Sequence, residues 1–539
     1  MNSFKLTYSV GGHKKTADAT NRDIVFNAIT TENKTTVKIK AKKDLVLHFV
    51  TSKNIFKVSI RDRLLLNGYQ SWTDTKEFTL FDYVRNVKLH SRLLVNRYSF
   101  DSYGDVAFYK YAIHKLHGYD VFYSRGENEI FLLNDNYKTA FLVFEIDRRN
   151  GNLSLRSDFD GVELKAGEEF TVLSYYRELD VNSGMALLDE LYPEKEVKKI
   201  FGYTSWYNHY QNINEEIVLK NLDAVDERFN LFQIDDGFET FVGDWLDVDD
   251  NKFPNGLKGI VDKTHEKGLL AGIWLAPFVA EKDSRVFKEH YDWIKKDEKN
   301  MPIRCGSSWS GFYALDLDNE EVTAYIKKCL NYYVELGFDF FKLDFLYAAS
   351  RPQYKGKTRS MAAEGAYSLL RETLKDKLIL GCGATVFNCI NRFEYLRVGP
   401  DVSLKFDDEW FMHYMHRERI STKITIQNTV FRSFMNGRFF GNDPDVFLLR
   451  NDNIDLNDEQ KKSLATINAL FGSVMMTSDD VSTYDEKQKS ALDNASDLFY
   501  NAKVLNYEGK NGKIEITYKL HGKEKSIVYD VNRGVIDER

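Results

Sequence analysis

Through roughly the first 193 residues, apolar and polar positions alternate with a period close to two. Segments 35–51 (TTVKIKAKKDLVLHFVT), 129–135 (EIFLLND), 139–149 (TAFLVFEIDRR) and 168–179 (EEFTVLSYYREL) are rich in Val, Ile, Phe, Tyr and Thr. Successive side chains of a strand point to opposite faces, so this alternation predicts strands with one buried face. GEN at 126–128 and NGN at 150–152 read as hairpin turns. No long helical pattern intervenes before about Met185, and the region is expected to form a large antiparallel sandwich.

After LYPEKEVKK (191–199) the pattern changes. Eight short apolar runs predict strands: 201–206, 231–237, 269–278, 338–347, 378–384, 395–401, 440–449 and 473–480. Stretches of helical period at 214–229, 319–336 and 458–471 lie between them. Eight βα units in roughly 280 residues fit a (β/α)8 barrel, whose ordinary size is about 250. The sixth unit is irregular. The stretch before YLRVGPD is short, and a long helix at about 408–438 is expected after it, carrying His413 and His416. From about 495 the β pattern returns, with a hairpin over 513–520 and 525–532 that is too small to stand alone and should pack on the barrel. The expected plan is a multidomain α/β-plus-β chain. It comprises an N-terminal β-sandwich (1–193), a central (β/α)8 TIM barrel (194–484) and a small C-terminal antiparallel β domain (485–539).

Composition narrows the function. Charged residues make up 29% and hydrophobic residues 43% of the 539 positions, which is the usage of a folded chain rather than a disordered one. Aromatic residues reach 14%, enough for large cores and for sites that stack flat ligands or sugar faces. Lys plus Arg is 74 against 81 Asp plus Glu, a net charge of -7, so no broad basic field exists to hold nucleic acid or an anionic membrane. Cys305, Cys329, Cys382 and Cys389 form no disulfide framework and no C-x-x-C pair of zinc spacing. The opening MNSFKLTYSVGGHKK lacks the apolar core of a signal peptide, and no run of about 18 apolar residues occurs, so a cytoplasmic location is expected.

In barrels of this kind the reacting residues lie where strands end. The eight predicted strands end in Trp206 and Tyr207, Asp235 and Asp236, Trp274, Lys342 and Asp344, Cys382, Arg397 and Asp401, Asp443 and Asp445, and Asp479 and Asp480. This is a rim of carboxylates with Trp and Tyr beside them and no His/Cys metal set. In FKLDFLY, strand alternation puts Lys342 and Asp344 on one side and Phe341, Leu343 and Phe345 in the barrel–helix layer. A Lys beside an Asp keeps the carboxylate ionised, as a nucleophile requires; a structural ion pair has the same pattern. Asp235-Asp236 can accept hydrogen bonds from ligand hydroxyls, or form a turn before Gly237. Asp401 follows Pro400 and reads as an acid or a turn residue, and Arg397 as a clamp or a surface ion pair. Cys382, between two glycines, marks either close ligand approach or a small buried thiol. His413 and His416, with Arg417, read as a packing or solvated helix face. The acids of NDPDV (442–446) are expected to orient their neighbours.

The ordered series GYTSWYNHY, FQIDDGF, GDW, GIWLAPF, FKLDFLY, LGCGA, RVGPD and NDPDV resembles the alpha-galactosidases of glycoside hydrolase family 36, the melibiase family. The motifs run from about 201 to 450, and LNGYQSW (66–72) resembles the family's loop from the sandwich into the site. The resemblance implies a retaining exo-glycosidase with no metal or organic cofactor. It makes Asp344 the nucleophile and Asp401 the general acid/base. Asp235 and Asp236 would hold the 4- and 6-hydroxyls of galactose. Lys342, Cys382, Arg397 and Trp274 match binding positions, and Trp72 would close the site from the first domain. One departure is Tyr203, where some members have Trp, which would alter a stacking wall or the space beyond the first sugar. CGSSW (305–309) is expected to shape the same region.

The expected reaction is hydrolysis of terminal alpha-linked galactose from small oligosaccharides by double displacement. One carboxylate attacks the acetal and one carboxylic acid protonates the leaving oxygen, about 5–5.5 Å apart in a retaining site. Within the family, an alpha-N-acetylgalactosaminidase would need room at the 2-position near Cys382-Gly383-Ala384-Thr385, and a galactosyl transferase would differ in its acceptor. A non-catalytic carbohydrate-binding protein would lack the two acids. A homo-oligomer is compatible with a large sandwich, with no particular residue pointing to one.

Overall fold

The computed structural model describes residues 4–84, 95, 97–407 and 416–538. The first part is two seven-stranded antiparallel sheets. One orders His13–Ala17, Phe4–Val10, Leu45–Lys57, Asn152–Asp158, Val143–Asp147 and Lys115–Tyr119, with Glu163–Leu164 added to Leu45–Lys57. The other orders Ile24–Thr30, Lys34–Ala41, Glu169–Glu178, Ile130–Asn134, Val121–Arg125, Arg63–Leu66 and Lys76–Phe78. The alternation seen in the sequence is the burial pattern. Leu153 and Leu155 of one sheet and Val37 and Ile39 of the other point inward and share one core with Leu47 and Val50. The predicted turn at 150–152 depends on Gly151. It has φ +73, and a Cβ there would stand 2.3 Å from the Val58 carbonyl oxygen.

Eight parallel strands follow, each inside its predicted run except that the first starts one residue before it: β1 (Ile200–Thr204), β2 (Leu231–Ile234), β3 (Leu270–Leu275), β4 (Phe340–Leu343), β5 (Leu378–Gly381), β6 (Tyr395–Arg397), β7 (Gly441–Asp443) and β8 (Val474–Thr477). They pair in chain order from β1 to β7, and β8 pairs with β1. The remaining seam between β7 and β8 is closed by an isolated parallel bridge, Val446 to Met476, and by Ser473 N donating to Asn442 O at 2.8 Å. Closure leaves no open sheet edge. Helices cover the outside, as in Glu320–Leu336. The Asn319 side chain caps that helix by accepting from Glu321 N, and Gly337 at φ +107 stops it. Its buried Val322, Ile326, Leu330 and Tyr333 recur at helical spacing and face the barrel.

Two expectations are corrected. After β6 the helix is Thr422–Phe431, much shorter than 408–438, with 408–415 and hence His413 outside the described residues. Residues 416–421 are not helical. Ser421 caps the helix at Ile424 N, 3.3 Å, and the preceding chain is spent on contacts to the sandwich, with Asp74 N donating to Arg417 O at 3.0 Å. The tail begins with a helix, Glu486–Asn501, whose buried Leu492, Ala495 and Phe499 have helical spacing. The hairpin then grows to four strands, Ala502–Lys510, Lys513–Leu520, Lys523–Asp530 and Val535–Glu538. This sheet does pack on the barrel: Tyr507 meets Phe471 edge-on at 5.9 Å. Among the described residues, no helix is long and apolar enough to cross a membrane.

The seam between sandwich and barrel is organised by Arg432, which follows the Thr422–Phe431 helix and is completely buried. Its Nε donates to Asn67 Oδ1 at 3.0 Å, and Nη2 to the Gln70 carbonyl at 3.2 Å. Its Nη1 donates to the carbonyls of Ser71 and, at 2.7 Å, Val398. Burial and the charge of Arg417 pull the guanidinium down to about 9, still protonated at neutral pH. Arg432→Met would leave Asn67 Oδ1 and the Ser71 carbonyl without their donor, at about 1–3 kcal/mol each, while Thr73 N still serves the Gln70 carbonyl and Asn428 Nδ2 that of Val398. Calorimetry should show a clear fall in melting temperature, with Arg432→Lys intermediate; an unchanged transition for Arg432→Met would reject the clamp.

Candidate active site

β2 ends at Ile234, and Asp235 and Asp236 follow at its C-terminal end. Gly237 turns the chain at φ +116, and a Cβ there would meet Gln211 Cα at 2.7 Å. Asp235 is almost fully buried. Its Oδ2 accepts from Lys342 Nζ at 2.8 Å, Gln233 Nε2 at 2.7 Å and Thr204 Oγ1 at 3.1 Å, and its Oδ1 from Asp236 N at 3.0 Å. Asp236 accepts from Trp309 Nε1 at 2.9 Å and, through each oxygen, from Gln211 Nε2 at 3.2 and 3.3 Å.

Lys342 therefore pairs with Asp235 rather than with Asp344, its neighbour two residues on. The ladder of β4 stops at Leu343, and Phe345 lies in the left-handed region at φ +53. That conformation costs a non-glycine residue about 1–3 kcal/mol. Packing holds it there: the Phe345 ring meets Phe312 at 4.9 Å and Trp72 and Trp309 at 5.3 Å each. Phe345 thus belongs to an aromatic wall at the rim and not to the barrel–helix layer, where Phe341 and Leu343 are buried. Asp344 receives two N–H donors, Trp274 Nε1 at 3.0 Å and Phe345 N at 2.7 Å. Burial pulls the Lys342 ammonium down, but the charges of Asp235 and, to a smaller degree, Asp344 outweigh this and raise it.

On the far side of the rim Arg397, at the end of β6, holds three carboxyls. Nε reaches Asp443 at 2.8 Å, Nη2 Asp445 at 2.8 Å and Nη1 Asp401 at 3.2 Å. Burial pushes Asp401 up to about 7, helped by the charge of Asp445 and opposed by Arg397 and Lys342. Asp445 is also raised by burial, but it accepts from Arg397, from the Tyr207 hydroxyl and from Val402 N at 2.8 Å. The Asp401 carboxyl has only the Arg397 contact among the described residues and is 33% exposed, so of the two raised acids Asp401 is the one less well held as a carboxylate.

The sandwich completes the ring. Ser71 N donates to Ala384 O at 2.9 Å, and Gln70 and Thr385 form a bridge. This lays Trp72 on the loop after β5, with its Nε1 3.3 Å from Cys382 Sγ. Gly383 at φ +59 is needed there, because a Cβ would stand 2.9 Å from the indole. Among the predicted residues, hydrogen bonds join Asp235, Asp236 and Lys342 to one another, Trp274 to Asp344, Arg397 to Asp401, and Trp72 to Cys382.

Other candidates separate from this ring. Asp479 pairs with Arg450 at 2.8 Å, and Asp480 with Lys220 at 2.9 Å. His416 stacks on Phe100 at 4.6 Å in the seam. Tyr203 points outward from β1 and stacks on Phe232 at 4.7 Å, so it is no wall of the site. Trp309, Gln211 and Tyr207 were not singled out from the sequence as binding residues, although the segment holding Trp309 was. Trp309 sits at φ +54, and Gln211 lies beyond a strand end, so their convergence carries no local signal. Among the described residues, no group of three or more His, Cys, Asp or Glu is gathered for a metal ion.

Comparison with known proteins bears on the same region. Residues 194–377 match the family model described as Melibiase. Alpha-galactosidase 1 of Pediococcus pentosaceus is 26% identical over 280 residues, covering 47% of this chain and 36% of that protein. Alpha-xylosidase XylQ of Lactiplantibacillus pentosus is 30% identical over 141 residues, covering 24% of this chain and 18% of that protein. The chain thus spans well under two thirds of the length of these curated relatives. The solved structure of TtGalA, an alpha-galactosidase from Thermus thermophilus in complex with p-nitrophenyl alpha-D-galactopyranoside, superposes with a TM-score of 0.73 at 22% identity, covering 96% of this chain and 98% of that one. That likeness shows a shared fold. Residues 194–377, the part that matches the Melibiase model, carry β1 to β4 and the Asp235, Asp236 and Asp344 end of the rim.

Proposed function

We propose that the chain is a retaining exo-alpha-galactosidase, its site carried by the barrel of 194–484 and closed by the sandwich of 1–193, with 485–539 as a third unit. The observation that carries the reading is the unequal pair of acids on one rim. Asp344 is held by two N–H donors at the end of β4, while burial and the charge of Asp445 raise Asp401 to about 7, which makes a proton available there near neutral pH. Double displacement needs such a pair. Asp344 attacks the anomeric carbon, and Asp401 gives its proton to the departing oxygen. Asp401, now ionised, takes a proton from the water that attacks the same carbon and frees Asp344. Asp235 and Asp236 supply acceptors for sugar hydroxyls, with Lys342 neutralising Asp235. Trp274 and Trp309, 6.1 Å apart, offer apolar faces, and Arg397 holds the acid. Trp72 packs against Gly383 of the loop after β5, and galactose against N-acetylgalactosamine is decided by the substrate panel below.

The direct test is a panel of aryl alpha-glycosides: galactoside, N-acetylgalactosaminide, xyloside and glucoside, with and without a chelator. The galactoside should be cleaved fastest, and equally well in chelator; preference for another glycoside overturns the substrate, and reversible metal dependence overturns the mechanism. A small oligosaccharide ending in alpha-galactose should release free galactose, and transfer to a second sugar would show as a larger product.

The acids should fail differently. With Asp344→Gly no glycosyl-enzyme forms, and azide filling the gap should yield the beta-galactosyl azide. With Asp401→Ala an activated aryl galactoside still glycosylates Asp344, and azide then yields the alpha anomer. Identical product anomers would reject the assignment.

Asp401 must be protonated to act as the acid, so kcat/KM on unactivated galactosides should fall about tenfold per pH unit above about 7. The loss should be shallower for activated leaving groups; a profile flat to pH 9 on both would remove Asp401 from this role.

A further inference from the structure

Glu239 stands three residues beyond Asp236, and no motif singled it out. The Gly237 turn doubles the chain back, so the Glu239 side chain returns to the Asp235-Asp236 end of β2. There Gly237 N donates to Glu239 Oε2 at 3.2 Å, which brings the Glu239 carboxyl against that of Asp236. Both side chains are buried: Glu239 is 5% exposed and Asp236 2%. Neither forms an ion pair among the described residues. The groups facing them are accounted for elsewhere. The Lys342 ammonium lies on Asp235 at 2.8 Å, and Lys252 Nζ is spent on the carbonyls of Gln211 and Gly237 at 2.8 and 3.0 Å. The Tyr333 hydroxyl donates to Trp245 O at 2.6 Å, and Trp309 and Gln211 donate to Asp236.

Two carboxyls in contact, buried and without a cation, cannot both ionise; they share one proton. Asp236 already accepts N–H bonds from Trp309 and Gln211, an arrangement that suits the carboxylate. The proton therefore resides on Glu239, whose carboxyl burial and the charge of Asp236 push well above the usual range.

We propose that Glu239 is a positioning residue for sugar recognition: as a neutral carboxylic acid it donates a hydrogen bond to Asp236 and aims that carboxylate at the hydroxyls of the bound sugar. This rests on the reading of Asp236 as a sugar-binding residue. Deprotonation of Glu239 at alkaline pH places a second charge beside Asp236 and removes the donor, so sugar affinity drops. A purely structural acid predicts no such dependence.

The test is galactose affinity measured by calorimetry on the full chain, from pH 6 to pH 10, which does not depend on turnover. Glu239→Gln keeps a donor toward Asp236 and an oxygen to accept Gly237 N, but cannot ionise. It should bind galactose within threefold of wild type at pH 7 and lose the alkaline weakening that wild type shows. Glu239→Ala should bind at least tenfold more weakly at every pH, with KM for the aryl galactoside rising more than kcat falls. Infrared spectra at pH 8 should show a protonated-carboxyl band in wild type that Glu239→Gln lacks, a readout that needs no sugar and no folded Ala variant. Equal affinities in wild type and Glu239→Ala, the same alkaline weakening in Glu239→Gln, or no loss of the infrared band overturns the proposal. Wild-type protein that neither binds galactose nor cleaves the galactoside overturns the functional reading as well. Wild-type activity with any of the preceding results overturns the Glu239 proposal alone.

Discussion

The buried guanidinium of Arg432 is the constraint on which the arrangement of the site depends. Among the described residues it has no carboxylate partner, and its charge is met by four oxygen acceptors, three from the segment 67–71 of the sandwich and one from Val398 beside β6. A buried charge that relies on dipoles tolerates little displacement, because each lost acceptor leaves a desolvated donor. The segment that supplies those acceptors ends in Trp72, which meets Cys382, Gly383, Phe345 and Tyr347. Docking of two domains and closure of one wall of the site are thus a single event.

The rim itself is a balance of charge. Lys342 and Arg397 are the cations; Asp235, Asp344, Asp401, Asp443 and Asp445 are the acids around them. Two cations do not neutralise five carboxylates in a buried place, so a proton remains, and it settles where hydrogen-bond donors are fewest. That place is Asp401, which also has the opening to exchange it. At the other end of the rim the same rule leaves a proton between Asp236 and Glu239. Lys342 serves Asp235 and leaves Asp344 to the N–H groups of Trp274 and Phe345, so the Asp344 carboxyl is oriented by these donors rather than by an ion pair.

Where the sequence reading departed from the structure, the cause was a local rule applied beyond its range. Alternation in FKLDFLY holds through Leu343 and fails at Phe345, whose backbone turns left-handed under packing from Trp72, Trp309 and Phe312. A long helix was expected after β6, but residues 416–421 are not helical: Arg417 O accepts from Asp74 N of the sandwich, and Ser421 N donates to Asp401 O of the barrel. Tyr203 was expected from motif position alone to alter a stacking wall or the space beyond the first sugar; strand parity turns it outward onto Phe232.

Much of this protein was nonetheless determined by its sequence. Period-two alternation specified the sandwich, eight short apolar runs specified the barrel strands, and the residues closing those runs named Asp235, Asp236, Trp274, Lys342, Asp344, Cys382, Arg397 and Asp401. These features are legible because strand and helix periods, turns and strand ends are local properties of the chain. Which carboxyl receives which cation, which acid keeps a proton, and how Trp72, Trp309, Gln211 and Glu239 arrive at the same rim were decided only by the tertiary structure. Those outcomes depend on distances and burial between residues tens to hundreds of positions apart, and local periodicity carries no information about them.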